Sequence, residues 1–147
     1  MSFNPTKISD DFSSSPQIEV EDLAIIASHG FKTILNCRPD NEGGAAQPTS
    51  TQLKISAEQH GMQYFHFPVA MGAANGQVDQ NAAQALAVAQ KPILGFCKSG
   101  MRASNFYRTA IGTPGKKTLL AWLQSKCLIT RLLRWCKNRQ RANTCCK

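Results

Sequence analysis

Cys97-Lys98-Ser99-Gly100-Met101-Arg102 is the stretch of this chain whose residue types and spacing could do chemistry. It lies between a short apolar run, Pro92-Ile93-Leu94-Gly95-Phe96, and a segment of helical character from Arg102 to Ala110. A cysteine that ends a buried strand, a small-residue turn and an arginine opening a helix form the layout of an anion cradle. The amides of Lys98, Ser99, Gly100 and Met101, together with the helix N-terminus, would point at the sulfur. That surrounding lowers a thiol pKa and yields the reactive thiolate. Arg102 adds a planar fork for two oxygens of an oxyanion. A cation at a helix N-terminus opposes the helix dipole unless an anion comes to it. Cys97 therefore reads as a nucleophile rather than as a small buried hydrophobe, the other common state of a free cysteine.

Further residues belong to the same edge if the strands run parallel. Arg38 and Asp40, in Arg38-Pro39-Asp40, close the strand that ends at Cys37. Arg38 could steer anions, and Asp40 could orient an arginine or act as a fallback general acid; a turn stabilised by Asp is an equally good account. His66 alternates with apolar residues and reads as a packing histidine. Cys37 reads as a core cysteine, with a resolving thiol for Cys97 as the alternative. His29 and His60 precede glycines that end helices.

The elements that would position these residues follow from periodicity and punctuation. Helices are expected over about 20–29, 50–60, 77–90 and 102–110. Strands are expected over 31–37, 64–69 and 92–96, and residues 1–18 supply at most one or two short edge strands. Helix and strand thus alternate, with short apolar strands. This predicts an α/β sandwich with a mostly parallel sheet and ligands held beyond the carboxyl ends of the strands.

The chain has 147 residues and a formal charge of +8, but the charge is segregated. Residues 1–111 carry eight Lys/Arg against nine Asp/Glu, and residues 112–147 carry nine Lys/Arg and no acid. The domain of 1–111 is thus near neutral, and whole-chain basicity is no argument for nucleic-acid binding. Gly112-Thr113-Pro114-Gly115 separates off the tail, where Leu119, Leu120, Trp122, Leu123, Leu128, Leu132 and Trp135 recur among basic residues. A basic amphipathic helix could touch an acidic partner or a membrane surface. An altered reading frame accounts for the tail equally well, and no function is assigned to it. No apolar run reaches the length of a membrane span, and Met-Ser-Phe-Asn-Pro is not a signal pattern. The six cysteines show no zinc-like spacing. The expectation is a cytoplasmic protein with reduced thiols and no metal or organic cofactor.

Five pieces together resemble a known family. They are Phe12-Ser13-Ser14-Ser15-Pro16-Gln17, Gly30 through Asp40, Gln47-Pro48, Tyr64 to Val69, and Phe96 to Ser104. In order and spacing they are similar to the dual-specificity type of cysteine phosphatase, and above all to the β-lactamase-hydrolase-like, protein-phosphatase-like domain, across about residues 8–111. The resemblance implies a three-layer α/β sandwich with Cys97 and Arg102 as its catalytic pair. Lys98, Ser99, Gly100, Met101, Arg38 and Ser104 would form the anion site. It also implies a family described as phosphatase-like, some of whose members accompany sulfur-oxidising domains.

The sequence departs from such phosphatases in three places. Four residues separate Cys97 from Arg102, one fewer than in protein tyrosine phosphatases. The shorter loop is instead like that of single-domain rhodaneses and suits a sulfur atom better than a phosphoryl group. The stretch Ala70 to Gly76, where the phosphatases carry an acid that protonates the leaving alcohol, has none; Asp79 is the nearest. Ala103 also stands directly after the arginine, with Ser104 beyond it, where the phosphatases place Ser or Thr. The favoured expectation is a rhodanese-type sulfurtransferase working through a Cys97 persulfide, with a small oxyanion, thiol or persulfide as substrate. The alternatives are a phosphatase acting on phosphate esters through a phosphocysteine, and a catalytically silent anion-binding module.

Overall fold

The structure is a computed structural model that describes residues 3–70 and 80–112. The tail, Asp79 and most of the loop after Ala70 lie outside the described residues. The elements, in chain order, are β1 (Thr6–Lys7), β2 (Phe12–Ser15), α1 (Asp22–Ser28), β3 (Thr33–Asn36), α2 (Ser50–Gln59), β4 (Gln63–His66), α3 (Gln80–Val88), β5 (Ile93–Phe96) and α4 (Met101–Gly112).

The five strands lie in the order β1-β2-β5-β3-β4. Only the β1–β2 pairing is antiparallel; β2–β5, β5–β3 and β3–β4 are parallel. The expected α/β sandwich with a mostly parallel sheet is therefore present. β3 and β5 are buried at every residue, as strands covered on both faces must be.

Two apolar clusters flank the sheet. Phe12, Leu35, Cys37, Ile93 and Cys97 pack against Ala82, Leu86 and Ala89 of the α3 region and against Ala103, Phe106, Tyr107 and Ala110 of α4. On the other face Ile34, Leu94 and Phe96 pack against Leu23 and Ile26 of α1 and Leu53 and Ala57 of α2. The alternation along each strand sends successive side chains to opposite layers. Each large side chain so buried contributes about 1.5–3 kcal/mol.

One expectation for the N-terminal segment is corrected. β1 is an edge strand, but β2 is interior, paired with the strand that leads to Cys97. The reason is Phe12, which is fully buried and stacked on Tyr107 of α4 with ring centroids 4.0 Å apart. Gly95 makes room for that ring. A Cβ at Gly95 would stand 2.4 Å from Phe12 Cζ and 3.2 Å from the Ala103 methyl, so only glycine lets β5, Phe12 and α4 meet just before the cysteine turn.

Two buried polar groups in β3 are fully partnered. Thr33 donates its hydroxyl to the Gln90 carbonyl at 2.6 Å. Asn36 donates to the Tyr64 hydroxyl at 2.9 Å and accepts the Arg38 amide at 2.8 Å, which fixes the turn that carries Arg38. Burial, the dominant effect on Tyr64, pushes its hydroxyl far above its ordinary pKa, so it stays protonated.

Candidate active site

Cys97 follows β5, and α4 starts four residues later at Met101. Between them Gly100 adopts φ +87°, the left-handed region that glycine tolerates. A Cβ there would come within 3.1 Å of the Ser15 carbonyl oxygen, so the turn rests against the end of β2. This geometry brings the Gly100 amide to donate to Cys97 Sγ at 3.2 Å.

Burial alone would raise the Cys97 pKa, but the backbone amides of Ala103, Ser99, Arg102 and Gly100 together outweigh it. The thiol is held below its ordinary value. Of the four turn amides, those of Ser99 and Gly100 reach the sulfur, joined by that of Arg102 at the start of the helix. Ala103 lends its amide, while Lys98 and Met101 have no described hydrogen bond to the sulfur. Their side chains are exposed, as is that of Ser99. The Cys97 residue itself is 0% exposed.

Ser104 serves the turn rather than the anion. Its hydroxyl donates to the Gly100 carbonyl at 3.0 Å, and its amide donates to the same oxygen at 3.1 Å. The one hydroxyl proton that could bind an oxyanion is therefore in use. In this geometry the expected anion ligand Ser104 is engaged in holding the turn.

Arg102 lies in the first turn of α4 and reaches across to Glu42. Arg102 Nη1 donates to Glu42 Oε1 and Nη2 to Glu42 Oε2, both at 2.7 Å, and Nη1 also donates to the Val69 carbonyl at 2.7 Å. Arg38 Nε donates to Glu42 Oε2 at 2.7 Å, and Arg38 Nη1 to Gln17 Oε1 at 2.7 Å. Arg38 is only 7% exposed, so this is a built network rather than a surface ion pair. Hydrogen bonds from Arg102 lead the causes that hold the Glu42 carboxyl down to about 2, with those from Arg38 adding to them against the opposing effect of burial. The pairing with Glu42 in turn raises the Arg102 pKa further, with the nearby Cys97 sulfur contributing.

The sequence reading did not single out Glu42. Its signal was faint: one acid in a loop rich in Gly and Ala, four residues after Arg38. The loop closes on Arg38 through Gly43, whose hypothetical Cβ would lie 2.7 Å from Arg38 Nη2. Gln47 then pins it, accepting from the Gly43 amide and donating to the Pro39 carbonyl, each at 2.8 Å.

Asp40 points to other work. Its Oδ1 accepts the Ser50 amide at 2.8 Å and its Oδ2 the Ser50 hydroxyl at 2.6 Å. Both oxygens hold the first residue of α2, beside the capping box of Thr49 and Gln52. Of the readings open for Asp40, these contacts describe the stabilising turn residue, and they give it no part beside Cys97. His66 Nε2 donates to the Arg38 carbonyl at 3.0 Å and is a satisfied structural histidine. Arg38 stands in the network, yet its described contacts are to Glu42 and Gln17 rather than to the sulfur.

This cysteine turn, with its arginine and flanking parallel strands, lies within a stretch that matches a known family. Residues 6–114 match the family described as beta-lactamase hydrolase-like protein, phosphatase-like domain. The chain belongs to this family. The beta-lactamase hydrolase-like protein of Agrobacterium fabrum is 35% identical over 102 residues, which is 69% of this chain and 23% of that protein. That of Xylella fastidiosa is 32% identical over 101 residues, 68% of this chain and 23% of the relative. The chain therefore spans about a quarter of the length of these curated relatives.

Among solved structures, a putative phosphatase from Neisseria meningitidis is 32% identical with a TM-score of 0.58, covering 69% of this chain and 71% of that one. A putative phosphatase from Shewanella putrefaciens has a TM-score of 0.55 at 19% identity, covering 75% and 70%, and shares the fold. The phosphatase-like family and the cysteine-phosphatase type of fold are thus those of this chain. Among the described residues, no helix is long and apolar enough to cross a membrane.

Proposed function

We propose that this phosphatase-like domain is a sulfurtransferase that carries sulfur as a Cys97 persulfide. The observation that supports this reading is the state of the carboxylates around the cradle. Glu42, paired with Arg102, is held ionised with its pKa down at about 2. Asp40 is engaged through both oxygens by Ser50. Neither is placed to hand a proton to a leaving group. An alkoxide leaving from a phosphate ester at neutral pH needs that proton. Sulfite leaving thiosulfate does not.

In the proposed reaction the Cys97 thiolate attacks the outer sulfur of thiosulfate. A new S–S bond forms, the sulfur–sulfur bond of the donor breaks with its electron pair going to sulfite, and the total charge is unchanged. A nucleophile such as cyanide or a thiolate then takes the terminal sulfur and regenerates the Cys97 thiolate. The loop amides and Arg102 hold the oxyanion. Three of the five N–H donors of Arg102 are engaged, two by Glu42 and one by the Val69 carbonyl. The remaining edge, Nε–H and the second Nη2–H, lies beside the Cys97 sulfur, to which the Arg102 side chain also hydrogen-bonds, and is where substrate oxygens would be held.

A second reading is a phosphatase working through a phosphocysteine. The family and the related structure named a putative phosphatase favour it. It requires an acid from elsewhere, and Asp79 lies outside the described residues. The two readings separate on one measurement. The reduced protein is incubated with thiosulfate and its intact mass read, with Cys97→Ser as the control. Gain of one sulfur atom on the parent and none on the variant supports the persulfide carrier. An unchanged mass, with Cys97-dependent release of phosphate from an aryl phosphate, would replace it with the phosphatase.

A further inference from the structure

Arg38 is tied to the ends of three strands at once. Its amide donates to Asn36 Oδ1, at the end of β3, at 2.8 Å, and its carbonyl accepts from His66 Nε2, at the end of β4, at 3.0 Å. Its Nη1 donates to Gln17 Oε1, two residues past β2, at 2.7 Å. Gly43 closes against the far side of the guanidinium, where a Cβ would stand 2.7 Å from Nη2 and 3.4 Å from Cζ. Fixed in this way, Arg38 presents its Nε to Glu42 Oε2 at 2.7 Å. The remaining member of this parallel set, β5, is the strand that delivers Cys97.

The loop that carries Glu42 has little of its own to hold it in place. Gly43, Gly44, Ala45 and Ala46 are all exposed, and Asn41 takes φ +62°, a left-handed conformation uncommon outside glycine. Gln47 ties the loop only to neighbouring residues of the same segment, Gly43 and Pro39. Among the described residues, the side chains that bond the Glu42 carboxylate are those of Arg38 and Arg102. Arg102 is the group that Glu42 has to place, so the reference to the sheet comes through Arg38.

We infer that Arg38 is a positioning residue, which locates Glu42 and through it the edge of Arg102 that meets the substrate oxyanion, without touching the substrate itself. A fork that binds by two parallel N–H···O bonds is sensitive to such placement, because both bonds depend on the orientation of one plane. The planar guanidinium of Arg38 matters for the same reason. A lysine ammonium at this position is a point donor and does not hold Gln17 and Glu42 in one fixed geometry. The inference gives Arg38 an indirect part in the anion site, where the sequence suggested a direct one. It rests on Arg102 holding an oxyanion, which the sulfurtransferase and phosphatase readings share.

The test reads anion binding beside Cys97 without turnover. The reduced full chain is alkylated with iodoacetamide over a series of sulfate concentrations, and modification of Cys97 is followed by peptide mass. Sulfate on the Arg102 edge shields the sulfur, and the concentration that halves the rate is the readout. It is measured for the parent, Arg38→Lys, Arg38→Met, Glu42→Gln and the double variant Arg38→Met/Glu42→Gln. Both Arg38 variants are expected to raise that concentration about fivefold, and Arg38→Met is expected to add nothing once Glu42→Gln is in place. Losses that add in the double variant overturn the inference, because a direct contact with the anion or a general loosening of the site would act in either background. An Arg38→Lys protein that matches the parent also overturns it, since charge alone would then suffice. Should the Arg38 variants not fold, Gln17→Ala removes the anchor beside β2, leaves Arg38 in place and is read in the same cycle with the same outcomes. Sulfate that never shields the parent overturns the Arg102 anion site and this inference with it. Failure of thiosulfate to add sulfur to Cys97 overturns the persulfide reading alone, because no sulfur transfer enters this measurement.

Discussion

Glu42 grips the Arg102 guanidinium with both carboxylate oxygens, each at 2.7 Å, from a loop sixty residues away in the sequence. Because Oε2 also accepts from Arg38, the carboxylate is itself held from a second side. Glu42 thus sets where the fork of Arg102 lies, and with it the edge left for substrate.

Removing Glu42 tests whether it positions Arg102 or competes with substrate. Glu42→Ala is expected to lower kcat/KM for thiosulfate by about tenfold or more, since small misplacements of a binding group carry penalties of that order. Tighter thiosulfate binding with an undiminished kcat would instead identify Glu42 as a competitor for the fork.

The same carboxylate should leave a mark on acid stability. Its pKa is lower in the folded protein, about 2, than its ordinary value of 4.5. The stabilisation is complete above the unfolded value and disappears as pH falls from about 4.5 toward 2. Thermal denaturation across that window should show a decline in Tm for the parent that is shallower in Glu42→Gln. Equal slopes would remove Glu42 as a source of acid sensitivity.

Cys97 should titrate below an ordinary thiol when its alkylation by iodoacetamide is followed against pH. Gly100→Ala forces a side chain into the left-handed region and toward the Ser15 carbonyl. It is expected to cost about 1–3 kcal/mol of stability and to move the alkylation midpoint upward as the Gly100 amide leaves the sulfur. An unmoved midpoint would mean that the other amides suffice.

Asp40→Asn separates a structural carboxylate from a catalytic one. The contacts to Ser50 predict a stability loss of about 1 kcal/mol, in the range of a lost helix cap, with turnover nearly unchanged. A general acid would lose about 10²–10⁴-fold in rate on the same substitution.

The strand–turn–helix around Cys97 was legible because its signals are local: a β-rich run, a glycine at the turn and an arginine at the helix start. The alternation of helix and strand likewise carried the layering of the sheet. What escaped were relationships made by distant segments. Glu42 is an unremarkable loop acid until the fold carries it to Arg102. Asp40 looked available for chemistry because its partner, Ser50, is reached only through the intervening loop. Phe12 stands in a serine-rich segment whose polarity suggested an edge, and its stacking on Tyr107 draws β2 into the interior. Ser104 could be placed near the turn from spacing alone, but not the direction of its proton.

The position of β5 also governs the order in which this protein can become itself. The strand lies between β2 and β3, so Phe12 and Thr33 each wait for Ile93 as their lateral neighbour. On a ribosome, both earlier strands must emerge and remain without their shared partner until nearly the whole domain has been made. Such long-range closure slows folding. Among the described strands, the last to arrive is the one that delivers Cys97, and the amides that activate it follow in the next few residues. The nascent chain therefore carries an ordinary thiol, and reactivity begins only when the sheet is complete.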